Sequence, residues 1–317
     1  MRRAGSRLRF LSLAKAPQGG YVLAIDQYAQ SIKREERDVS RLLAALLLCT
    51  AAIVGLRPAF AEDKPALPDR IASAGTVRIA VNAAYPPMES RDPTTNEFVG
   101  FDIDLGNALA AELGLKVEWI DGPFSQTLPS LISKRVDLIH SAMIDTKERQ
   151  KTVDFIDYLQ SGIEVYAMTD GPINAVEDMC GQKIAVSKGT TALKVLGRWS
   201  EDNCVGKGKP AVDTVIDSSF GQQIVNMKQK RTVAGVQGLE GIGRILEDSK
   251  GTMKLVGEPL AVNHAGLAFL KEDTQLRDAY MWALKRKYAD GTYEKLLEKW
   301  KLKPTAYPAP TLNNATE

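Results

Sequence analysis

Two motifs rich in hydroxyl and backbone donor groups occur where predicted strands end. Ser141-Ala142-Met143 follows one predicted strand, and Ser187-Lys188-Gly189-Thr190-Thr191 lies between another strand and a helix. In open parallel sheets, ligands bind outside the carboxyl ends of the strands, where helix N-termini present free N–H groups. The two motifs are therefore candidates for binding an anionic group of a ligand.

A pair of acidic residues, Asp102 and Asp104, has the composition of a general acid and base. Both stand at the start of a predicted helix, where Asp also serves as a cap and as a partner of the helix dipole. We interpret this pair as structural.

Apolar periodicity predicts alternating strands and helices from Thr76 onward, and the alternation restarts after Gly162. This order predicts two α/β units, each with a parallel sheet and flanking helices, which face each other across a cleft. The predicted strands are 77–81, 116–120, 136–139, 163–168, 183–186, 233–236 and 267–269. The predicted helices are 101–113, 125–133, 191–199, 220–229, 274–289 and 292–300, and Pro304–Pro310 is interpreted as a tail.

Length and charge narrow the class of protein. The 317 residues suffice for two domains, because a single core rarely grows beyond about 250 to 300 residues. Residues 1–61 hold ten of the 41 Lys and Arg and four of the 39 Asp and Glu, so 31 basic and 35 acidic residues remain, a net charge of −4. Nucleic-acid binding needs a clustered basic face. We therefore exclude nucleic acid as a partner.

The N-terminal segment has the features of a secretory signal. Four basic residues between Lys33 and Arg41 precede the apolar run Leu42–Leu56, and Ala59-Phe60-Ala61 supplies small residues for a signal peptidase. A membrane anchor is the alternative, but the run is shorter than the roughly 20 residues that span a bilayer. We expect residues 1–61 to be an N-terminal extension and signal peptide, cleaved after Ala61.

Two cysteines, Cys180 and Cys204, follow the predicted cleavage site. An even number in an oxidising compartment favours a disulfide over two free thiols. A structural zinc needs four ligands, and His140 and His264 are distant in sequence. We predict a Cys180–Cys204 disulfide, no metal site and no cofactor.

Several further motifs carry a resemblance to a known family. The segment Gly100–Leu105 reads GFDIDL, 82–87 reads NAAYPP, 146–149 reads TKER and 289–293 reads ADGTY. Together with Lys188–Thr191 they resemble the polar amino-acid family (family 3) of periplasmic solute-binding proteins of bacterial ABC transporters. The similarity extends over residues 66–302.

The resemblance implies the type II periplasmic-binding-protein fold, in which two α/β lobes joined by a two-strand hinge close on one solute. Lobe one would comprise residues 62–160 and 263–317, and lobe two residues 161–262. It implies a monomer that binds a small amino-acid-like carboxylate and delivers it to an ABC permease in the inner membrane, without catalysis.

The resemblance also implies a set of ligand-binding residues. Arg149 occupies the position whose guanidinium binds the solute carboxylate; a surface charge run is the alternative. Thr191, with the N–H groups of Gly189 and Thr190, would complete that site, although Thr191 is also a candidate helix cap. Aromatic walls are expected at Tyr85 and Phe124, with core packing the alternative for Phe124. The remaining expected contacts are Asn82, Ser141, Ala142, Met143, Gly238 and Glu240.

The sequence departs from the family at the position expected to bind the solute ammonium. Gly238 stands where the family usually has Asp, which leaves two alternatives open: Glu240 binds the amine, or the solute lacks a primary amine. Asn82 replaces an acid found in some members, so a neutral or polar solute is favoured over arginine or lysine.

One competing function is a periplasmic dehydratase of the prephenate or arogenate type on the same fold. Such an enzyme needs a general acid near the leaving group. Glu240 is the obvious candidate, and no second catalytic partner accompanies it.

Overall fold

The computed structural model describes residues 63–316. The predicted signal peptide and its cleavage site after Ala61 lie outside the described residues. Within residues 63–316, no helix combines the length and apolar character needed to cross a membrane.

The strands of the described residues are β1 Thr76–Val81, β2 Ala84–Tyr85, β3 Glu89–Arg91, β4 Phe98–Val99, β5 Lys116–Asp121, β6 Leu138–Ile144, β7 Val153–Met168, β8 Lys183–Ser187, β9 Asp213–Asp217, β10 Ala234–Gly238, β11 Met253–Leu255, β12 Ala261–Leu270 and β13 Ala306–Leu312. A ten-stranded mixed sheet runs through both lobes in the order β5-β1-β6-β12-β7-β10-β8-β9, and β11 and β13 also pair with β7. Three short strands, β2 to β4, form a separate sheet.

Each predicted helix is present, and two more are found. The α-helices of the described residues are α1 Asp69–Ala74, α2 Phe101–Glu112, α3 Phe124–Ile132, α4 Thr191–Asn203, α5 Phe220–Lys228, α6 Leu239–Ser249, α7 Thr274–Ala289 and α8 Thr292–Lys299. The sequence did not predict α1 or α6.

The apolar core divides into clusters that belong to different lobes. One cluster joins α2 and α7 to β1 and β12, and another joins α4 to β8 and β10. The 16-residue strand β7 and its antiparallel partner β12 continue from one lobe into the other. This architecture is the predicted two-lobed α/β fold, with the parallel pairs at the two ends of the sheet and the antiparallel pairs in its middle.

The interpretation of Pro304–Pro310 as a tail was wrong. Residues Ala306–Leu312 form β13, which pairs antiparallel with β7 at Ala306, Thr311 and Leu312. Proline is tolerated there because the pairing is interrupted between Ala306 and Thr311, where the prolines lie, so their missing N–H groups cost no ladder bonds.

The first turn of α2 packs closely against β3 and contains two acidic residues. A Cβ on Gly100 would lie 2.1 Å from the Met88 carbonyl oxygen, so only glycine allows α2 to pack this closely on β3. Asp102 and Asp104 both lie in the first turn of α2, as expected for partners of the helix dipole, but the expected cap was wrong because neither side chain caps the helix. Asp104 accepts hydrogen bonds from lobe-one residues Lys299 and Trp300 instead.

The predicted disulfide between Cys180 and Cys204 is present. It joins the turn before β8 to the end of α4, and Cys204 is buried in the core of lobe two.

Candidate functional site

A cavity lies between the lobes, at the carboxyl ends of β6, β8 and β10 and the N-termini of α3, α4 and α5. This is the location that the strand order predicts for a ligand. The lining residues are Asn82, Ala84, Tyr85, Glu89, Phe124, Ser141, Ala142, Ile144, Arg149, Ile163, Ser187, Lys188, Thr190, Thr191, Ala192, Ser218, Ser219, Phe220, Gln237, Gly238 and Glu240.

Arg149 projects into this cavity from a single 3-10 turn between β6 and β7. Its Nη1 donates to Ile144 O at 2.6 Å and to Thr191 Oγ1 at 3.4 Å, and Nη2 donates to Gly189 O at 3.2 Å. Arg149 forms no ion pair with any acid of residues 63–316. Burial lowers the pKa of Arg149 to about 10, because the guanidinium has lost water and the negative charges of Glu148 and Asp145 offset only part of that loss.

The N-terminus of α4 faces Arg149 from lobe two. Thr190 is the N-cap residue, and its hydroxyl donates to Ser187 O rather than capping the helix. Thr191 is the first residue of the helix, so the cap proposed for Thr191 is not at that position. The first N–H groups of a helix have no intrahelical partners and favour an anion.

Tyr85 and Glu240 connect the lobes on another side of the cavity. The Tyr85 hydroxyl donates to Glu240 Oε1 at 2.8 Å, and the Ser161 hydroxyl donates to Glu240 Oε2. Glu240 is 3% exposed, and burial raises its pKa. The Tyr85 ring packs edge-on against Phe220 of lobe two, with ring centroids 5.9 Å apart.

The Glu240 carboxyl occupies the space next to Gly238 where a side chain would otherwise lie. A Cβ built on Gly238 would be 2.1 Å from Glu240 Oε1 and 2.6 Å from Glu240 Cδ. Because α6 begins at Leu239, Glu240 is in its first turn, and its side chain folds back over the helix N-terminus. A carboxyl is therefore present beside position 238 although the residue at 238 has none.

A second buried carboxyl, Glu89, lines the cavity from lobe one. Glu89 Oε1 accepts a hydrogen bond from the Ser141 hydroxyl at 2.7 Å, and Asp102 accepts from Ala142 N at 2.8 Å. Ala142 has φ of 44°, an uncommon conformation for a residue other than glycine, and its bond to Asp102 holds it there. Asp102 therefore helps to fix the backbone of β6 where Ala142 lines the cavity.

Most of the predicted binding residues are brought together, with two placed differently. Asn82 lines the cavity and donates to Gly122 O, and Phe124 lies 6.0 Å from the Arg149 guanidinium carbon. Met143 and Gly189 instead line an adjoining outer groove, and Met143 is also part of the lobe-one core.

Several residues that line the cavity were not predicted from the sequence. Gln237, Ser218 and Phe220 come from lobe two, and Glu89 comes from lobe one. Ser218 and Phe220 follow β9, a strand that the sequence did not predict, so a strand-end signal could have located them. Within residues 63–316, no group of three or more His, Cys, Asp and Glu is placed to hold a metal ion.

Comparison with known proteins places the chain in a family. Residues 77–303 match the model of the bacterial extracellular solute-binding proteins, family 3. The chain belongs to this family. It is a two-lobed, solute-binding receptor of the kind that serves ABC importers, and it is a binding protein rather than an enzyme.

Individual relatives agree with this assignment. The L-arginine-binding protein of Pseudomonas aeruginosa is 28% identical over 266 residues, which cover 82% of this chain and 95% of that protein. The structure of an ancestral arginine-binding protein bound to arginine is 30% identical, with a TM-score of 0.65, and covers 71% of this chain and 98% of that one.

A third relative bears on the dehydratase alternative. The ancestral amino acid-binding protein AncCDT-1, described as a precursor of cyclohexadienyl dehydratase, is 30% identical with a TM-score of 0.66, and the match covers 73% of this chain and 98% of that one. It is itself a binding protein, so this family member does not favour the enzyme.

Proposed function

We propose that this family 3 protein is the receptor for an amino acid, held at its carboxylate by Arg149 and at its ammonium by Glu240. The observation that carries the proposal is that Arg149 and Glu240 line one cavity without forming an ion pair with each other. A buried charge without a partner is costly. A zwitterionic solute would supply a direct ion-pair partner to each of them.

The carboxylate end is supported by the donors that remain around Arg149. Its three hydrogen bonds to protein oxygens leave two of its five N–H donors for a solute. A carboxylate accepts two parallel hydrogen bonds from such a fork. The N-terminus of α4, at Thr190 and Thr191, adds backbone donors from lobe two.

The ammonium end is supported by the position of Glu240. Two hydroxyl groups donate to its carboxyl, and a carboxylate accepts about four hydrogen bonds in total. Of the two alternatives that Gly238 left open, we therefore favour binding of a primary amine by Glu240.

The side-chain class of the solute depends on two residues of lobe one. Asn82 favours a neutral or polar side chain, whereas Glu89 adds a carboxyl that suits a cationic one. Relatives named for arginine binding support amino acids of that size and charge.

Thermal-shift screening of residues 62–317 against the protein amino acids, ornithine and citrulline tests the proposal. A ligand that binds the folded state raises the melting temperature by mass action. For the strongest binder, its carboxamide tests the contact with Arg149, and its N-acetyl form tests the contact with Glu240. We expect both derivatives to bind far more weakly, and equal binding of either would refute the corresponding contact.

We further propose that the chain is exported, cleaved after Ala61 and active as a periplasmic monomer that does not bind nucleic acid. The apolar run 42–56 and the net charge of −4 after residue 61 support this part. The closed receptor would deliver its solute to the permease. Mass spectrometry of the protein purified from periplasm tests the cleavage site.

A further inference from the structure

We propose that Glu89 is a proton site of the solute pocket, holding a proton unless a solute brings a cationic group against it. Binding of a cationic side chain then breaks the Glu89 O–H bond and releases that proton to solvent. A neutral side chain leaves the proton in place. This inference rests on the proposed amino acid function.

The first support is the position of the Glu89 carboxyl. Glu89 is 0% exposed yet lines the solute cavity. Its Oε1 accepts from the Ser141 hydroxyl, whereas Oε2 has no hydrogen-bond partner among the described residues. A buried acceptor without a donor is costly, and a proton on Oε2 or a donor on the solute removes that cost.

The second support is the concentration of carboxyl groups without cations. Glu89 and Asp102 accept hydrogen bonds from the adjacent residues Ser141 and Ala142, and the negative charges of Asp102 and Glu240 both raise the pKa of Glu89. All three acids are at most 3% exposed. No Lys or Arg of residues 63–316 forms an ion pair with any of them. Like charges in a shared buried site cannot all be ionised, so one carboxyl retains a proton.

The groups that face Glu89 identify it as the carboxyl that holds the proton. From α2, Asp102 already accepts hydrogen bonds from Ala142 N and the Tyr158 hydroxyl, which favour its charged form. From α6, Glu240 accepts from two hydroxyls. Glu89 accepts from one.

The remaining neighbours are two phenols and an imidazole, and within residues 63–316 no Lys or Arg is among them. The phenols of Tyr85 and Tyr158 are neutral, and their own pKa values are raised by burial. His140 of β6 lies 3.4 Å from Asp102, and neither of its ring nitrogens has a hydrogen-bond partner within the described residues. Burial and the Asp102 charge together raise the pKa of Glu89 well above its usual range.

The exchange makes solute selection depend on pH. With a proton, Glu89 is a neutral donor and acceptor that suits an uncharged side chain. Without it, Glu89 is a carboxylate that suits a cation. Because binding releases a proton, the affinity for a cationic solute increases as the pH increases. The increase is up to about tenfold for each pH unit, over the range below the pKa of Glu89 in the free protein.

Calorimetric titration with L-arginine and L-citrulline tests this directly, because the two solutes have nearly the same shape and only arginine carries a side-chain charge. Titrations in phosphate and in Tris at one pH report the protons released per solute bound. We expect up to one proton for arginine and none for citrulline. Glu89→Gln mimics the protonated acid and should abolish the proton release. The affinity for arginine should fall at least about tenfold, and the affinity for citrulline should change by less than about threefold.

Infrared spectroscopy provides a readout that does not depend on the variant binding arginine. The wild type without solute should show the carbonyl stretch of a protonated carboxylic acid, and added arginine should remove it. Glu89→Gln should lack this band, whereas Asp157→Asn, which changes a buried acid outside the cavity, should keep an arginine-sensitive band. If Glu89→Gln does not fold, the wild-type measurements alone decide.

Different results would overturn the proton site at Glu89 and the proposed amino acid function. Arginine binding without proton release between about pH 5 and 9, or a carboxylic acid band unchanged by bound arginine, overturns the proton site alone. If no amino acid of the screening panel binds, the proposed function fails, and the exchange fails with it.

Discussion

The Tyr85 hydroxyl in lobe one lies 2.8 Å from the Glu240 carboxyl in lobe two and donates a hydrogen bond to it across the cleft. A solute ammonium bound to Glu240 would therefore share its acceptor with the group that joins the lobes. If Glu240 binds the solute ammonium, as we propose, solute binding and lobe closure use the same carboxylate, which gives a physical link between them.

Replacing Tyr85 with Phe should weaken both closure and solute binding. A hydrogen bond to a charged group contributes about 1.5 to 3 kcal/mol, so we expect the dissociation constant to rise by about 10- to 100-fold. Small-angle scattering in the presence of solute should show a smaller fraction of closed, compact molecules for Tyr85→Phe than for wild type. Tyr288→Phe removes a hydroxyl that bonds only within lobe one, and should change neither measurement. Equal affinity of Tyr85→Phe and wild type would contradict the link.

A side chain at position 238 would overlap the Glu240 carboxyl, so substitutions at these two positions should have non-additive effects on solute affinity. Gly238→Asp alone should displace the Glu240 carboxyl, because its Cβ would lie 2.1 Å from Glu240 Oε1. Glu240→Ala alone should remove the ammonium site. The double variant moves the carboxylate to the usual family position, and we expect it to bind at least about tenfold more tightly than either single variant. Calorimetry of all four proteins gives the coupling, and strict additivity would contradict the shared position.

The sequence predicted the two-lobed fold and the residues that line one end of the cavity because those signals are local. Arg149, Thr190 and Thr191 belong to short motifs next to strand ends, and the helix 274–289 was predicted with its observed bounds. Periodicity and strand-end chemistry depend on neighbouring residues, which a single sequence displays.

Glu89 could not be predicted because its environment depends on distant segments. Its neighbours Ser90, Arg91 and Asp92 are polar, and a Glu among polar residues is usually exposed. Burial comes from α2, which packs on β3 through Gly100. The strand β13 was missed for the same reason, since its pairing partner β7 lies more than a hundred residues earlier.

Asp157, beneath the C-terminal segment, should make stability depend on pH. The Thr311 hydroxyl and Asn314 N donate to Asp157, and burial raises its pKa to about 6. This value exceeds that of an unfolded Asp, about 3.9. The stabilisation is therefore complete below the unfolded pKa and is lost as the pH rises through about 6. The loss attributable to Asp157 is about 3 kcal/mol at most.

Urea unfolding at several pH values measures this contribution. Asp157→Asn should lose less stability than wild type between about pH 4 and 7. Asp178→Asn is the control with the opposite sign, because N–H groups of Ala175 and Asn174 lower the pKa of Asp178. Parallel pH profiles for Asp157→Asn and wild type would contradict the assignment.

The proposed function depends most on Arg149, whose substitution should abolish solute binding without unfolding the protein. A solute carboxylate between closed lobes loses its water, and removing one partner of a buried charge pair costs about 3 to 5 kcal/mol. Arg149→Ala should therefore raise the dissociation constant by at least about 100-fold. Arg149→Lys should restore only part of the affinity, because a single ammonium cannot make two parallel hydrogen bonds to one carboxylate.

A substitution at Lys151 is the control that distinguishes a specific contact of Arg149 from a general effect of positive charge. Lys151 follows Arg149 in the same 3-10 turn and lines the outer groove but not the solute cavity. Lys151→Ala should change solute affinity by less than about threefold, because water and salt screen an exposed charge that does not contact the solute. Circular dichroism of each variant verifies folding, and calorimetry measures affinity. If Arg149→Ala binds within about threefold of wild type, a difference of about 0.6 kcal/mol, Arg149 does not bind the solute and the carboxylate site lies elsewhere.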